Sequence, residues 1–280
     1  MIYLTLIRNE LFKIFSYWRT YMSYFFILLL VPLFFWGFSV GGSSIERQLT
    51  NAMGDHFLMV GKLVNAFTVA YFVLNFLWIH IPFLIALVGG DVLAGEEAVG
   101  TYRVYLTRPV SRWRIFLSKS IATLLYTLSV ILFLGIMSIG VGALWMGLGD
   151  LVVLQDGILV LPAGTAFVRF ALAYGLSFLN MSMVATLAIL FSAMVKNAVG
   201  PVIGTMAIVI IFFAISSLPL DFFETIRPFF FTTYFDSWTK AFYDPIPWDY
   251  LWLSTWTALL HIVLFLGGAF LIFKRKDILS

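Results

Sequence analysis

Few side chains in this sequence could do chemistry, and their spacing narrows the choice. The three histidines, His56, His80 and His261, lie far apart on three different segments, so they do not form the tight ligand spacing that a metal site needs. With no cysteine, thiol nucleophiles, disulfides and Cys-ligated metals are excluded together. No G-x-x-x-x-G-K-[ST] run is present to cradle a nucleotide phosphate, so the chain cannot hydrolyse ATP alone. There is no H-E-x-x-H and no G-x-S-x-G either. What remains is a set of neutral polar residues inside long apolar runs: Asn75, His80, Asn180 and Ser182, with His261 further on. Each is either glue between helices or a contact for a passing substrate, and Asn75, His80, Asn180 and Ser182 are the candidate pathway residues.

The elements that must hold these residues are apolar throughout. Of 280 residues 62% are hydrophobic and 11% charged, against about 45–50% and 25% in soluble domains. The net charge of +3 is too small to make nucleic acid a partner. Six stretches carry no Lys, Arg, Asp or Glu: 21–40, 63–90, 120–149, 170–195, 197–220 and 250–273. Each meets the roughly 20 residues that a helix needs to cross the hydrocarbon core. Their apolarity is continuous instead of alternating, which favours helices over barrel strands. The first run is too long for a signal-peptide core of about 7–15 residues and is read as an anchor.

Six spans put both ends on one side. With the termini inside, the inner segments hold Arg8, Lys13, Arg19, Arg103, Arg108, Arg112, Arg114, Lys119, Lys196, Lys274, Arg275 and Lys276, twelve of the 17 Lys and Arg. That distribution follows the positive-inside rule and places both termini in the cytoplasm. The expected fold is all-α: a single polytopic membrane domain over residues 1–280 in the cell membrane, the lipid bilayer its solvent. In residues 1–20, Leu4, Ile7, Leu11, Ile14 and Trp18 recur at helical spacing between Arg8, Glu10 and Lys13, the pattern of a helix lying in the membrane interface.

Residues 91–119 form the most highly charged loop. On a helical wheel Val92, Gly95, Ala98, Val99, Tyr102, Tyr105 and Leu106 share one half, and Glu96, Glu97, Gly100, Thr101 and Arg103 share the other. Pro109 ends this helix, and Ser111 is placed to cap a new one running through Arg112 into the third span. An ordered polar face before a proline break marks a docking element.

Gly100-Thr101, Arg103, Leu106, Arg108-Pro109-Val110-Ser111-Arg112 and Lys119 resemble the loop of ATP-binding cassette permeases of the type-2 exporter class, in which G-T-x-[KR]-x-L, P-[IV]-S-R and K follow the second of six spans. Arg8-Asn9-Glu10-Leu11-x-Lys13 resembles that family's opening helix. The motif-like part is the loop; span number and order agree over the whole chain. The resemblance implies a permease that is not itself an enzyme, pairs with a second copy of itself, and rests on a separate cytoplasmic ABC ATPase that holds ATP and magnesium. It implies a coupling helix at 91–119, with Glu96, Glu97, Gly100, Thr101, Arg103, Arg108, Pro109, Ser111 and Arg112 docking the ATPase. A second contact falls on Lys196 and Asn197. The alternative is an ATPase-driven scaffold that works on a periplasmic partner without transport. The third reading is an intramembrane protease of the E-E-x-x-x-R and F-x-x-x-H type. It fits worse, because Arg103 falls two places late and Phe76/His80 precede the Glu96-Glu97 pair.

Residues 221–249 are unusual for an outer loop, with Phe222, Phe223, Phe229, Phe230, Phe231, Phe235, Trp238, Phe242 and Trp248. So much aromatic surface predicts short helices dipping back among the spans, serving as an interfacial anchor or as a lid on the pathway.

Overall fold

The computed structural model describes residues 2–53, 63–100, 110–155, 157–218 and 221–276. The long apolar runs become helices, the one conformation in which a single segment satisfies its own backbone away from water. α1 (Ile2–Ser16) is parted from α2 (Trp18–Met53) by a break at Tyr17. α3 (Ala66–Leu77) and α4 (Ile81–Gly89) follow, then the short α5 (Asp91–Ala98). α6 (Arg112–Gly135) continues through a π-helical turn, Ile136–Val141, into α7 (Gly142–Trp145). After strands β1 (Leu151–Gln155) and β2 (Gly157–Leu161) come α8 (Ala163–Met194), α9 (Val199–Ser217), α10 (Asp221–Glu224), two 3-10 segments (Arg227–Phe229 and Phe231–Phe242) and α11 (Trp248–Arg275).

Among the described residues five helices are long and apolar enough to cross a membrane, and the bent pair α3–α4 makes a sixth when taken as one span. The chain is a multi-pass membrane protein. α8 is its axis: 78% of its most apolar window is buried, against 17–33% in the other four. α4 comes so close to α8 that a Cβ on Gly89 would stand 3.1 Å from the Ala185 carbonyl oxygen and from the Ala188 methyl.

Three features depart from the expected architecture. The second span is not one helix: α3 and α4 meet at 55°, with Pro82 in the first turn of α4, where it has no N–H to give the Trp78 carbonyl. The fold is also not wholly helical, since β1 and β2 pair antiparallel with Leu151 opposite Leu161 and Val153 opposite Leu159. The hairpin buries Leu151, Val153 and Leu161. Finally, α1 lies along α6. Arg114 stands over the Tyr3 ring at 5.6 Å, Lys119 meets Glu10, and Phe15 meets Tyr126 at 6.3 Å. Its apolar residues therefore divide: Ile14 is buried in the bundle, while Leu4 and Phe12 face outward.

The aromatic stretch does form short helices, packed against protein. Phe231, Phe235, Trp238 and Phe242 are buried. Asn180 of α8 holds them by donating from Nδ2 to Ser237 Oγ at 3.0 Å and to the Phe235 carbonyl at 3.3 Å.

Candidate functional site

A cluster of charged residues gathers at one end of the bundle, where α1, α5, the start of α6 and the ends of α8 and α11 meet. A helix as short as α5 has too few internal bonds to stand alone, and its first-turn N–H groups lack intrahelical partners. Ser192 of α8 supplies them: its Oγ accepts from Leu93 N at 3.1 Å and Ala94 N at 2.8 Å and donates to the Gly90 carbonyl at 2.6 Å. One hydroxyl thus uses its donor and both lone pairs to fix α5 to the axis of the fold.

The polar face of α5 turns inward. Glu96 is buried and paired with Lys13 of α1 and, at 2.7 Å, with Lys119 of α6. Lys119, 1% exposed, also reaches Glu10 of α1 at 2.8 Å. Arg19 of α2 meets Asp91 at 2.7 Å. The Asp91 carboxylate lies across Gly95, so that any side chain there would have to displace it from Arg19. Three carboxylates (Glu10, Asp91, Glu96) and three cations (Lys13, Arg19, Lys119) balance in this cluster, and all but Lys119 line a cavity of about 90 Å³. Beside them Glu97 pairs with Lys276, which also donates to the Ala193 carbonyl at 3.2 Å. Arg112 Nη1 donates to the Lys274 and Lys276 carbonyls at 2.7 and 3.2 Å, capping the end of α11.

Burial and the like charge of Lys119 hold the Lys13 ammonium down to about 8, against the opposing pull of Glu10 and Asp91. Burial raises Asp91, with Arg19 opposing. Because Lys13 gives up its proton more readily in the fold than in the unfolded chain, the unfolded state binds more protons between about pH 8 and 10.5. Stability therefore rises with pH across that window. Thermal unfolding of the purified chain from pH 7.5 to 10 is expected to show this rise, and Lys13→Met is expected to flatten it.

The expected docking residues divide. Glu96 and Glu97 are engaged within the chain, contrary to the expectation of a polar face turned to the cytoplasm: the cations of α1, α6 and the tail of α11 draw them in. Val99, placed on the apolar half, is instead 75% exposed, and Gly100 beside it has φ +73°, a conformation that glycine adopts without strain. Thr101, Arg103, Arg108 and Pro109 lie outside the described residues. Ser111 sits at the N-cap of α6, but its side chain makes no capping bond. Lys196 and Asn197 are exposed at the same end, where Asn197 Oδ1 accepts from Gly200 N at 2.7 Å and opens α9.

The candidate pathway residues do not converge. Asn75 donates to the Tyr71 carbonyl at 2.9 Å and Ser182 to the Phe178 carbonyl at 2.7 Å, each within its own helix. His80 Nδ1 contacts the Phe76 carbonyl at 2.9 Å, and its ring stacks on Phe76 at 4.7 Å. Asn180 bridges two elements as structural glue. A separate open groove of about 510 Å³ runs between α6 and α8, walled by Leu132, Ile136, Phe167, Tyr174 and Phe178. Sequence reasoning missed Glu10, Lys13, Arg19, Asp91, Lys119, Ser192 and Lys276 as one constellation. The available signal was charge placed at the margins of apolar runs, where burial demands a partner.

A family model described as "Protein of unknown function (DUF2705)" matches residues 55–279. That range takes in α3 through α11 and leaves out α1 and α2. No curated protein matches the chain.

Proposed function

We propose that this chain, which belongs to the DUF2705 family of unknown function, is the membrane subunit of an ATP-driven exporter, paired with a second copy of itself. A separate cytoplasmic ABC ATPase would bind at the end carrying α5 and hold the ATP and magnesium. The observation that carries this reading is the mounting of α5. It is pinned to α8 through Ser192 and to α1 and α6 through Glu96, yet its tip at Ala98, Val99 and Gly100 is exposed. A short helix so fixed passes a push on its tip directly into the spans, as a coupling element must. The loop motif supports the same reading, and so does the excess of Lys and Arg at this end.

With Glu96 and Glu97 engaged inside the chain, docking falls to the apolar tip, with Lys196 and Asn197 beside it. Val99→Asp would place a charge where an apolar socket is expected. It should lower ATPase recovered with the tagged chain from native membranes by about tenfold, leaving the thermal unfolding of the chain itself unchanged. Retention of full ATPase association by Val99→Asp would sink the docking assignment. Reconstitution into proteoliposomes separates transport from scaffolding: ATP-dependent flux of co-purifying cargo is expected, and ATP turnover without flux of any cargo would leave the scaffold reading.

A further inference from the structure

We propose that Lys119 is a transmission residue that makes α1, α5 and α6 a single lever, so that movement of the α5 tip is delivered to the third span and the N-terminal helix together. Its coupling role rests on the exporter reading; its mechanical role stands on geometry alone. Lys119 projects from α6 into the space between two elements that precede it in the chain. Its Nζ lies 2.8 Å from Glu10 Oε2 on α1 and 2.7 Å from Glu96 Oε1 on α5, and the three side chains are 1–7% exposed. A buried ammonium between two buried carboxylates cannot release either one to water without leaving charge stranded in an apolar setting, so the three elements separate together or not at all. Lys13 of α1 adds a direct pair with Glu96, and the remaining attachments of α5 run elsewhere: Ser192 ties it to α8, Arg19 to α2 and Lys276 to α11. Among the described ion pairs, Lys119 alone joins α6 to both α1 and α5.

The chain has no cysteine, so spin labels can be placed at will on engineered cysteines. Phe12 on α1, Val99 after α5 and Leu132 on α6 are exposed and serve as label sites. Electron–electron distances are measured in detergent for the pairs Phe12–Val99 and Val99–Leu132. The unaltered cluster should give one narrow distribution for each pair. Lys119→Met should broaden Val99–Leu132 and leave Phe12–Val99, still held by the Lys13–Glu96 pair, narrow. Glu10→Gln, which leaves both pairs of Glu96 in place, should spare both distributions. If Lys119→Met does not fold, Glu96→Gln, of equal shape, is the substitute and should broaden both. A narrow Val99–Leu132 distribution in Lys119→Met, or in Glu96→Gln where that variant is used, would overturn the lever. With the ATPase bound, the same variant should keep ATP turnover and lose flux; flux kept at the wild-type rate would overturn the coupling role. Failure of any ATPase to co-purify would count against the exporter reading and leave the distance results standing.

Discussion

Glu96→Ala is expected to destabilise the protein by about 3–5 kcal/mol, the usual loss when one member of a buried ion pair is removed. The substitution takes from Lys13 and Lys119 the carboxylate that they share, and Lys119 is too deeply buried to recruit water in its place. Thermal unfolding in detergent would register the loss, and limited proteolysis should show α1 opening first, since α1 carries the other half of the cluster. The result separates two roles for one residue. A surface carboxylate that served only to bind a partner would leave the melting temperature of the isolated chain untouched when removed. An unchanged melting temperature for Glu96→Ala would therefore return this residue to the docking surface.

Trp238→Ala should cost a similar amount, about 3–5 kcal/mol for a large aromatic removed from a packed interior. Trp238 is 1% exposed and holds three aromatic neighbours, Tyr71 at 6.0 Å, Trp78 at 5.8 Å and Phe242 at 6.4 Å. Tyr71 lies on α3 and Trp78 at the bend between α3 and α4, so the indole locks the 3-10 segment Phe231–Phe242 to α3 and that bend. Heat unfolding should shift downward, and intrinsic fluorescence should report Trp78 newly exposed to solvent. A melting curve indistinguishable from wild type would mean that the aromatic segment is laid over the bundle without supporting it.

Composition made the helices legible, because continuous apolar runs have no other stable form in lipid. The start of α6 was also legible at Ser111, though not the missing side-chain cap. The inward turn of Glu96 was not. A helical wheel assigns faces by polarity and assumes that the polar half meets water, whereas Lys13 and Lys119 give Glu96 a polar environment inside the protein, and Lys13 is 83 residues away in the chain. The hairpin was legible and overlooked: Asp156-Gly157 stands between Leu151-Val152-Val153-Leu154 and Ile158-Leu159-Val160-Leu161, a strong short-range turn signal between apolar strands. The bend had a marker in Pro82, which an apolar-run scan cannot register because it weighs transfer energy and ignores donors.

That bend also sets a length. A straight helix from Ala66 to Gly89 would measure about 36 Å at 1.5 Å per residue, some 6 Å more than a hydrocarbon core of about 30 Å. With α4 inclined at 55° to α3, the same residues project about 30 Å along the α3 axis. Taken as one span, the pair would match the bilayer without tilting, while α8, with 32 residues, would have to lean or protrude to fit. Because Asp91 begins α5 two residues after Gly89 closes α4, any straightening at Trp78–His80 would act as a piston, driving α5 outward by up to about 6 Å.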